Sequence, residues 1–305
     1  MPDPSPRPAV ARALDAAAVD AALRRMARQP EPPWLHREVA RRMAERLPLV
    51  RLQPDVIVDW WGHSGAGAAL LASAYPRARR IVVEPSAALA ERSRHKTSAP
   101  WWSARRWRPG SADVLLGDPE PGRAQLLWSN MMLHAAADPP AVIARWQRAL
   151  EVGGFLMFSC LGPGSLRALH DLYRERDWRE PGAAFVDMHD LGDMLVAGGF
   201  ADPVMDQETV TLTWDGPQAL LAELRSLGVN ASPARRPGLS TPRWRERLAE
   251  GLATLAGPDG RLRLAFEIVY GHAFKGAPRA GPNRETRVSV EEMRARARAA
   301  RARRG

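Results

Sequence analysis

The chain has 305 residues, of which 45% are hydrophobic, and this is enough for one large core. No run approaches about 18 consecutive apolar residues, so no transmembrane helix is expected, and the N-terminus lacks the apolar segment of a signal peptide. The formal net charge is +10, but residues 277–305 hold nine arginines against three glutamates. Most of the charge therefore lies in one tail, which favours a solvated surface over nucleic-acid binding. The single cysteine, Cys160, excludes an internal disulfide and fits a cytoplasmic location.

Helices and strands alternate in the first half of the chain. Two helical segments, 12–28 and 35–47, are separated by a proline-rich break. Short apolar segments then predict strands at 55–60, 80–84, 113–116, 124–129 and 155–160, with helices over 66–74, from Ser86 and over 139–150. The last helix is expected to be capped by Gly153-Gly154. This alternation predicts a mainly parallel sheet with helices on both faces.

The pattern changes after residue 160. Helices are predicted over 165–176, 191–197, 219–227 and 242–255, and the segments 208–214 and 261–272 alternate as antiparallel strands do. We therefore expect an α/β fold with a reversed C-terminal edge strand and a helical lobe. We divide the chain into a leader and helix (1–30), a main domain (31–276) and a basic, disordered tail (277–305). Within the main domain, a cofactor half (51–160) precedes a substrate or lid half (161–276).

Polar residues end four of the predicted strands. Asp59 ends the first strand and precedes a glycine-containing turn, Glu84 ends the second, Asp118 follows the third, and Ser129-Asn130 ends the fourth. Ligands of a doubly wound sheet bind at the carboxyl ends of its strands, and an acidic residue after the second strand typically accepts hydrogen bonds from ribose hydroxyls. Each residue alone is a common turn or helix cap. Together they predict a nucleotide-type cofactor site.

Several longer stretches carry a family resemblance. They are DWWGHSGAG (59–67), LLWSNMMLH (126–134), RALEVGGFLMFSCLGPGSLRAL (148–169) and GRLRLAFEIVYGHAFK (260–275). In these the chain resembles the class I S-adenosylmethionine-dependent methyltransferases, which have a Rossmann-like fold. More narrowly it resembles the BioC-type family, which methylates the free carboxyl of malonyl-acyl carrier protein in biotin synthesis.

The resemblance implies S-adenosyl-L-methionine as cofactor and an acyl carrier protein or coenzyme A thioester as substrate. The cofactor residues that it implies are Asp59, Gly62, Gly65, Glu84 and Asp118, the last at the adenine amine. Asn130 is expected near the reacting methyl group, and His134 beside the methyl pocket. A malonyl carboxylate is ionised at neutral pH, since carboxyls titrate near pH ~4, so methyl transfer needs no general base. It needs a cationic partner, for which Arg148 is our choice, with Arg37 and Arg167 as alternatives.

The first loop departs from the family pattern. That pattern is close to D-L-G-C-G-T-G, and laid on residues 59–65 it places Trp61 and His63 where glycines are usual, while Gly65 is kept. A tryptophan at a positive φ is strained, and Gly62 and Gly67 are the residues that could shift the turn.

Two other functions therefore stay open. The chain could be a non-catalytic relative that binds a protein partner, with Trp60 and Trp61 filling the first loop. A weaker alternative is nucleic-acid binding through the arginine tail. No membrane partner and no metal site are expected: Asp187, His189 and Asp190 lack metal-ligand spacing and predict a helix cap.

Overall fold

The computed structural model describes residues 14–97, 112–228, 230–236 and 241–277. Up to Lys275 the chain forms one compact unit. Its strands are β1 (Val56–Trp60), β2 (Arg79–Val83), β3 (Ala112–Leu115), β4 (Ala124–Ser129), β5 (Leu150–Leu161), β6 (Phe200–Trp214) and β7 (Leu262–Lys275). Its helices are α1 (Ala16–Arg28), α2 (Trp34–Ala44), α3 (Gly62–Gly65), α4 (Ala68–Ala74), α5 (Ala87–Thr97), α6 (Pro139–Ala149), α7 (Arg167–Glu175), α8 (Met188–Ala197), α9 (Pro217–Leu227) and α10 (Pro242–Ala253). The predicted tail lies outside the described residues apart from Ala277.

The strands form one seven-stranded sheet in the order β3-β2-β1-β4-β5-β7-β6. Strands β1 to β5 pair in parallel with one another, whereas β7 runs antiparallel to both β5 and β6. The predicted mainly parallel α/β sheet with a reversed C-terminal strand is therefore confirmed. The reversed strand lies one place in from the edge, because β6 covers its outer side. The strand order reverses between β1 and β4, so a ligand site is expected at the carboxyl ends of these strands.

Helices cover both faces of the sheet. Successive residues of β1 belong to different cores: Ile57 packs with residues from α2, α4, α7, α9 and α10, and Val58 packs with residues from α6 and α8. The central strands are almost continuously apolar because neither face meets water. On the first side, α9 contacts α1 and α10, and α10 contacts α7, which together make the predicted helical lobe.

Two glycines predicted to end α6 lie elsewhere. The helix ends at Ala149, where Leu150 takes an extended conformation, and Gly153-Gly154 lie inside β5. Gly153 has φ +85°, and a Cβ on Gly154 would lie 3.0 Å from the carbonyl oxygen of Ala124 on β4. The predicted cap was therefore wrong: these glycines permit an irregular start to β5 beside β4.

Asp187, by contrast, caps α8 and accepts a hydrogen bond from the His189 amide at 2.8 Å, as the sequence predicts. Across the described ranges, no helix has the length and apolar character that a membrane span requires.

Candidate active site

The first loop keeps a left-handed turn even though its first glycine is replaced. Trp61, directly after β1, has φ +56° and ψ 46°, and its amide donates to the Val83 carbonyl at 2.6 Å. The short helix α3 follows, and Ala66 at its end also has a positive φ of 58°. A non-glycine residue in this region costs about 1–2 kcal/mol. The loop therefore accepts the strain at Trp61 and does not move the turn to Gly62.

The backbone of the next residue, Gly62, lies close to the Asp59 side chain. A Cβ on Gly62 would lie 2.7 Å from both Cγ and Oδ2 of Asp59, so the carboxylate occupies the space that a side chain would need. A Cβ on Gly65 would meet nothing nearer than the Asn130 carbonyl oxygen at 3.5 Å, which is an ordinary contact. Of these two predicted cofactor glycines, only Gly62 is sterically required in this structure.

Two carboxylates are buried at the adjoining strand ends. Asp59 and Glu84 are each 1% exposed. Oε1 of Glu84 accepts hydrogen bonds from the His63 amide at 2.7 Å and the Ser93 hydroxyl at 2.6 Å. Burial raises the pKa of Asp59 to about 6, against the opposing charge of Arg80, and burial raises the pKa of Glu84 to about 7.

Three oxygens of this pair accept no hydrogen bond from the described residues: both of Asp59 and Oε2 of Glu84. The Arg80 Nε lies 3.8 Å from Oδ2 of Asp59. Buried polar atoms are normally hydrogen-bonded, so unpaired carboxylate oxygens at a strand switch point indicate a ligand that donates hydrogen bonds. The hydroxyl groups of a ribose and the ammonium group of an amino acid, joined in one ligand, fit this requirement.

A buried histidine that the sequence analysis missed holds the loop from the other side. His36 on α2 donates from Nδ1 to the Ser64 carbonyl at 2.9 Å, which assigns its tautomer, and burial lowers its pKa to about 4. The signal was present in the sequence, since His36 lies between Leu35 and Val39 on the apolar face of α2. A neutral histidine on such a face has to find a backbone partner, and here that partner is the loop.

Asn130, the predicted catalytic residue at the end of β4, joins three elements. Its Nδ2 donates to the His36 carbonyl at 2.8 Å and the Gly65 carbonyl at 2.7 Å, and its Oδ1 accepts from the Ser159 hydroxyl at 2.7 Å. Both amide hydrogens are thus used by the protein. This arrangement supports a positioning role for Asn130, while contact with the reacting methyl group stays a prediction.

Helix α1 covers the carboxyl edge of the sheet above these residues. Its inner face forms a small apolar cluster with α5 and with the segment after β4, and Trp61 packs against it; the cluster comprises Leu23, Met26, Ala27, Leu89 and Met132. The His63 side chain is also buried, and burial lowers its pKa to about 4. The two residues that replace glycines therefore contribute buried surface between the loop and its cover.

His134 borders a small cavity under α1. The cavity has a volume of about 20 Å³, and its other walls include Ala22, Met132, Phe185 and Gly228. The His134 ring lies edge-on to Phe185 at 5.8 Å, and its Nδ1 accepts a hydrogen bond from the Leu161 amide at 3.3 Å. With Nδ1 as an acceptor, the ring proton is assigned to Nε2, so the imidazole is a donor rather than a base.

Asp118 and Arg148 are brought together, but not with the buried carboxylates. Asp118 is half-exposed and pairs with Arg145 at 2.5 Å and with Arg148 at 3.4 Å. Helix α6 leads from the carboxyl end of β4 to the amino end of β5, so Arg148 in its last turn lies at the end of the helix away from the site. The contacts of Asp118 with adenine and of Arg148 with the substrate carboxylate stay predictions.

The sheet order and the loop between β1 and α4 define a class I methyltransferase fold. Two solved structures agree with this over most of the chain. A putative methyltransferase from Bacillus halodurans is 13% identical, with a TM-score of 0.52, and the match covers 77% of this chain and 99% of that one. The YcgJ protein from Bacillus subtilis is 10% identical, with a TM-score of 0.53, and the match covers 79% and 99%.

Sequence comparison identifies the family more narrowly: the chain belongs to the malonyl-[acyl-carrier protein] O-methyltransferases. The enzyme of that name from Gallionella capsiferriformans is 38% identical over 250 residues, covering 80% of this chain and 85% of the relative. That from Laribacter hongkongensis is 37% identical, covering 80% and 84%, and that from Halorhodospira halophila is 36% identical, covering 89% and 92%. No family model matches the sequence.

Proposed function

We propose that this protein is an S-adenosyl-L-methionine-dependent O-methyltransferase that acts on the free carboxylate of a malonyl thioester, carried by acyl carrier protein, in biotin synthesis. Membership of the malonyl-[acyl-carrier protein] O-methyltransferase family supports the substrate. The observation that carries the proposal is the set of unpaired carboxylate oxygens of Asp59 and Glu84 beside the left-handed turn at Trp61. The cytoplasmic location stays a prediction.

The buried carboxylates fit the cofactor by their chemistry. Oε2 of Glu84 would accept from the ribose hydroxyls, and Asp59 would accept from the ammonium group of the methionine part. When bound, the cofactor supplies an electrophilic methyl group on a sulfonium. Glu84 also holds the His63 amide, so the same side chain fixes the loop and receives the ligand. Asp118 as the adenine contact stays part of the prediction from the family resemblance.

Methyl transfer to the substrate carboxylate requires mainly that the protein positions this group. It is ionised at neutral pH, so the reaction needs desolvation and in-line positioning and no base. His134 borders the neighbouring small cavity, and we place the substrate carboxylate beside it as part of this proposal. The apolar walls of the neighbouring cavity, including Met132 and Phe185, would exclude water from the reacting atoms.

Calorimetric titration with S-adenosylhomocysteine tests the cofactor site. We expect binding to the wild type and a loss of at least about tenfold in affinity for Glu84→Ala, because charge-assisted hydrogen bonds are removed. Glu91→Ala is the matched control: it removes the same charge from the exposed side of α5 and leaves the affinity unchanged. The absence of binding at millimolar ligand would contradict the proposal and favour a non-catalytic relative that binds a protein partner.

A further inference from the structure

A second, much larger cavity lies on the outer side of α1. Its volume is about 470 Å³, and α1, α7, α9 and α10 all contribute to its walls. Much of the wall is apolar or aromatic and comes from Leu169, Tyr173, Leu221, Leu224, Trp244 and Leu248. A cavity of this size suits an extended organic group rather than a single ion.

Four arginines border the same cavity, against one acidic residue, Glu180. Arg235 is neutralised by Asp15 at 2.6 Å, and Arg236 lies over the Trp244 ring at 4.8 Å. The Glu180 carboxylate is itself bound by the Ser232 hydroxyl at 2.6 Å.

Arg25 on α1 and Arg225 on α9 are exposed at this cavity and form no ion pair within the described ranges. Partial desolvation lowers the pKa of Arg25, and the nearby charges of Arg225 and Arg235 lower it further. Arginine groups that repel one another beside a cavity are stabilised when an anion lies between them.

The two cavities meet at one residue. Gly228, just after α9, lines both the large cavity and the small one that contains His134. It has φ +69°, and a Cβ there would lie 3.0 Å from Cβ of Ala22 and 3.0 Å from Cε of Met26, both on α1. The wall between the cavities is thus made of small or flexible side chains. A slender chain that enters the large cavity would reach the small one at this point.

We propose that the large cavity holds the phosphopantetheine arm of the acyl carrier protein, with its phosphate at Arg25 and Arg225 and its thioester end directed past Gly228 towards His134. This inference rests on the proposed function. The arm and the cavity match chemically: the arm has an anion at one end and a mixed polar and apolar chain, and the cavity has the guanidinium groups of Arg25 and Arg225 at its rim and apolar walls within. Guanidinium groups bind phosphate oxygens in a bidentate manner, which fixes the end of the chain.

The test compares two substrates that differ only in the phosphate, malonyl-phosphopantetheine and malonyl-pantetheine. For the wild type we expect kcat/KM to favour the phosphorylated substrate about tenfold, mainly through KM, as for a charge-assisted contact. Arg25→Gln and Arg225→Gln should each remove most of this preference, and should raise KM for malonyl-acyl carrier protein in parallel. Arg24→Gln is the matched control, since Arg24 is exposed on the same turn of α1 and does not line the cavity.

Unchanged preference in both cavity variants would overturn the inference. A rise in KM for malonyl-coenzyme A but not for the carrier-protein substrate would also overturn it, because the arginines would then serve coenzyme A. If no malonyl thioester is methylated at all, the proposed function fails on its own. Direct titration of phosphopantetheine against pantetheine then tests the arginines without turnover: tighter binding of the phosphorylated compound that disappears in Arg25→Gln supports the site, and equal binding rejects it.

Discussion

At Trp61 and Gly62 the structure separates two requirements that a single glycine is usually thought to meet. Trp61 takes the positive φ, at 56°, and Gly62 provides the close approach to Asp59. The strain at Trp61 is affordable because its side chain packs against the apolar clusters on either side of the loop. The glycine pattern in the sequence does not separate the positive φ from the close approach. It therefore overstates the effect on the loop conformation of replacing the first glycine.

Substitution by alanine at the two loop glycines distinguishes close approach from flexibility. Gly62→Ala places a methyl group 2.7 Å from the Asp59 carboxylate, so we expect a loss of about 2 kcal/mol in the free energy of unfolding and weaker S-adenosylhomocysteine binding. Gly65→Ala meets only an ordinary contact at 3.5 Å, so we expect a change within about 0.5 kcal/mol. Urea unfolding of both variants measures the difference. Equal losses would show that chain flexibility, not the space above Asp59, decides the effect.

Among single residues, Asp59 and Glu84 were identifiable from the sequence as candidates, because their chemistry and their place at strand ends coincide; their contacts with the cofactor stay a prediction. The sequence could not identify the partners of Glu84, the His63 amide and the Ser93 hydroxyl, since one is backbone and the other is a common residue type on α5. A sequence position near β5 also does not say at which end of α6 the Arg148 side chain lies, and its contact with the substrate stays a prediction.

At the scale of elements, hydrogen bonds that connect α2, β4 and β5 hold the loop between β1 and α4 in place. Asn130 connects the His36 and Gly65 carbonyls with Ser159 of β5, and the Met131 amide donates to the same Ser159 hydroxyl at 3.1 Å. The residues that make these contacts are far apart in the sequence, so no local sequence pattern predicts them. The positions of helices and strands were predictable from apolar periodicity, whereas the hydrogen bonds between elements depend on which elements the sheet brings together.

The hydrogen bonds of Asn130 predict a loss of stability when its side chain is removed, and the neighbouring Ser129 provides the control. Asn130→Ala leaves two buried carbonyls and a hydroxyl without their partner, so we expect a loss of about 3 kcal/mol in the free energy of unfolding. Ser129→Ala removes an equally buried hydroxyl that has no hydrogen-bond partner within the described ranges, and should change stability by less than about 0.5 kcal/mol. Chemical denaturation compares the two. A small effect of Asn130→Ala on the free energy of unfolding would mean that water or local movement compensates for the lost hydrogen bonds.

At the scale of the whole molecule, composition and alternation sufficed for the parallel half of the sheet. The reversed strand was also predictable, because β7 alternates in sequence, but its place between β5 and β6 was not. Long strands of this kind pair according to their buried faces, and β6 and β7 pair along almost their full lengths. The cover formed by α1 over the strand ends follows from the same long-range packing and has no signature in the sequence of α1 itself.

The stability of the ligand-free molecule should carry a pH signature of its buried carboxylates. The pKa of Glu84 is raised from its ordinary value of 4.5 to about 7, so the folded state holds a proton in this interval that the unfolded state has lost. Stability from this group therefore falls as pH rises from 4.5 to about 7, by about 3 kcal/mol in total. Asp59 contributes a slope of the same sign as Glu84, because burial raises its pKa to about 6. His36 and His63 contribute the opposite slope below pH 6.5, because their pKa values are lowered to about 4.

Comparison with Glu84→Gln isolates the Glu84 carboxylate, because Asp59 and the two histidines are present in both proteins. The amide oxygen can still accept from the His63 amide and the Ser93 hydroxyl, but the side chain no longer ionises. We expect the variant to gain on the wild type by about 3 kcal/mol between about pH 4.5 and about pH 7, measured by urea unfolding at matched salt. Glu91→Gln, on the exposed side of the same helix as Ser93, should keep the wild-type profile. A constant difference between Glu84→Gln and wild type across this range would show that Glu84 is ionised in the folded protein without its ligand.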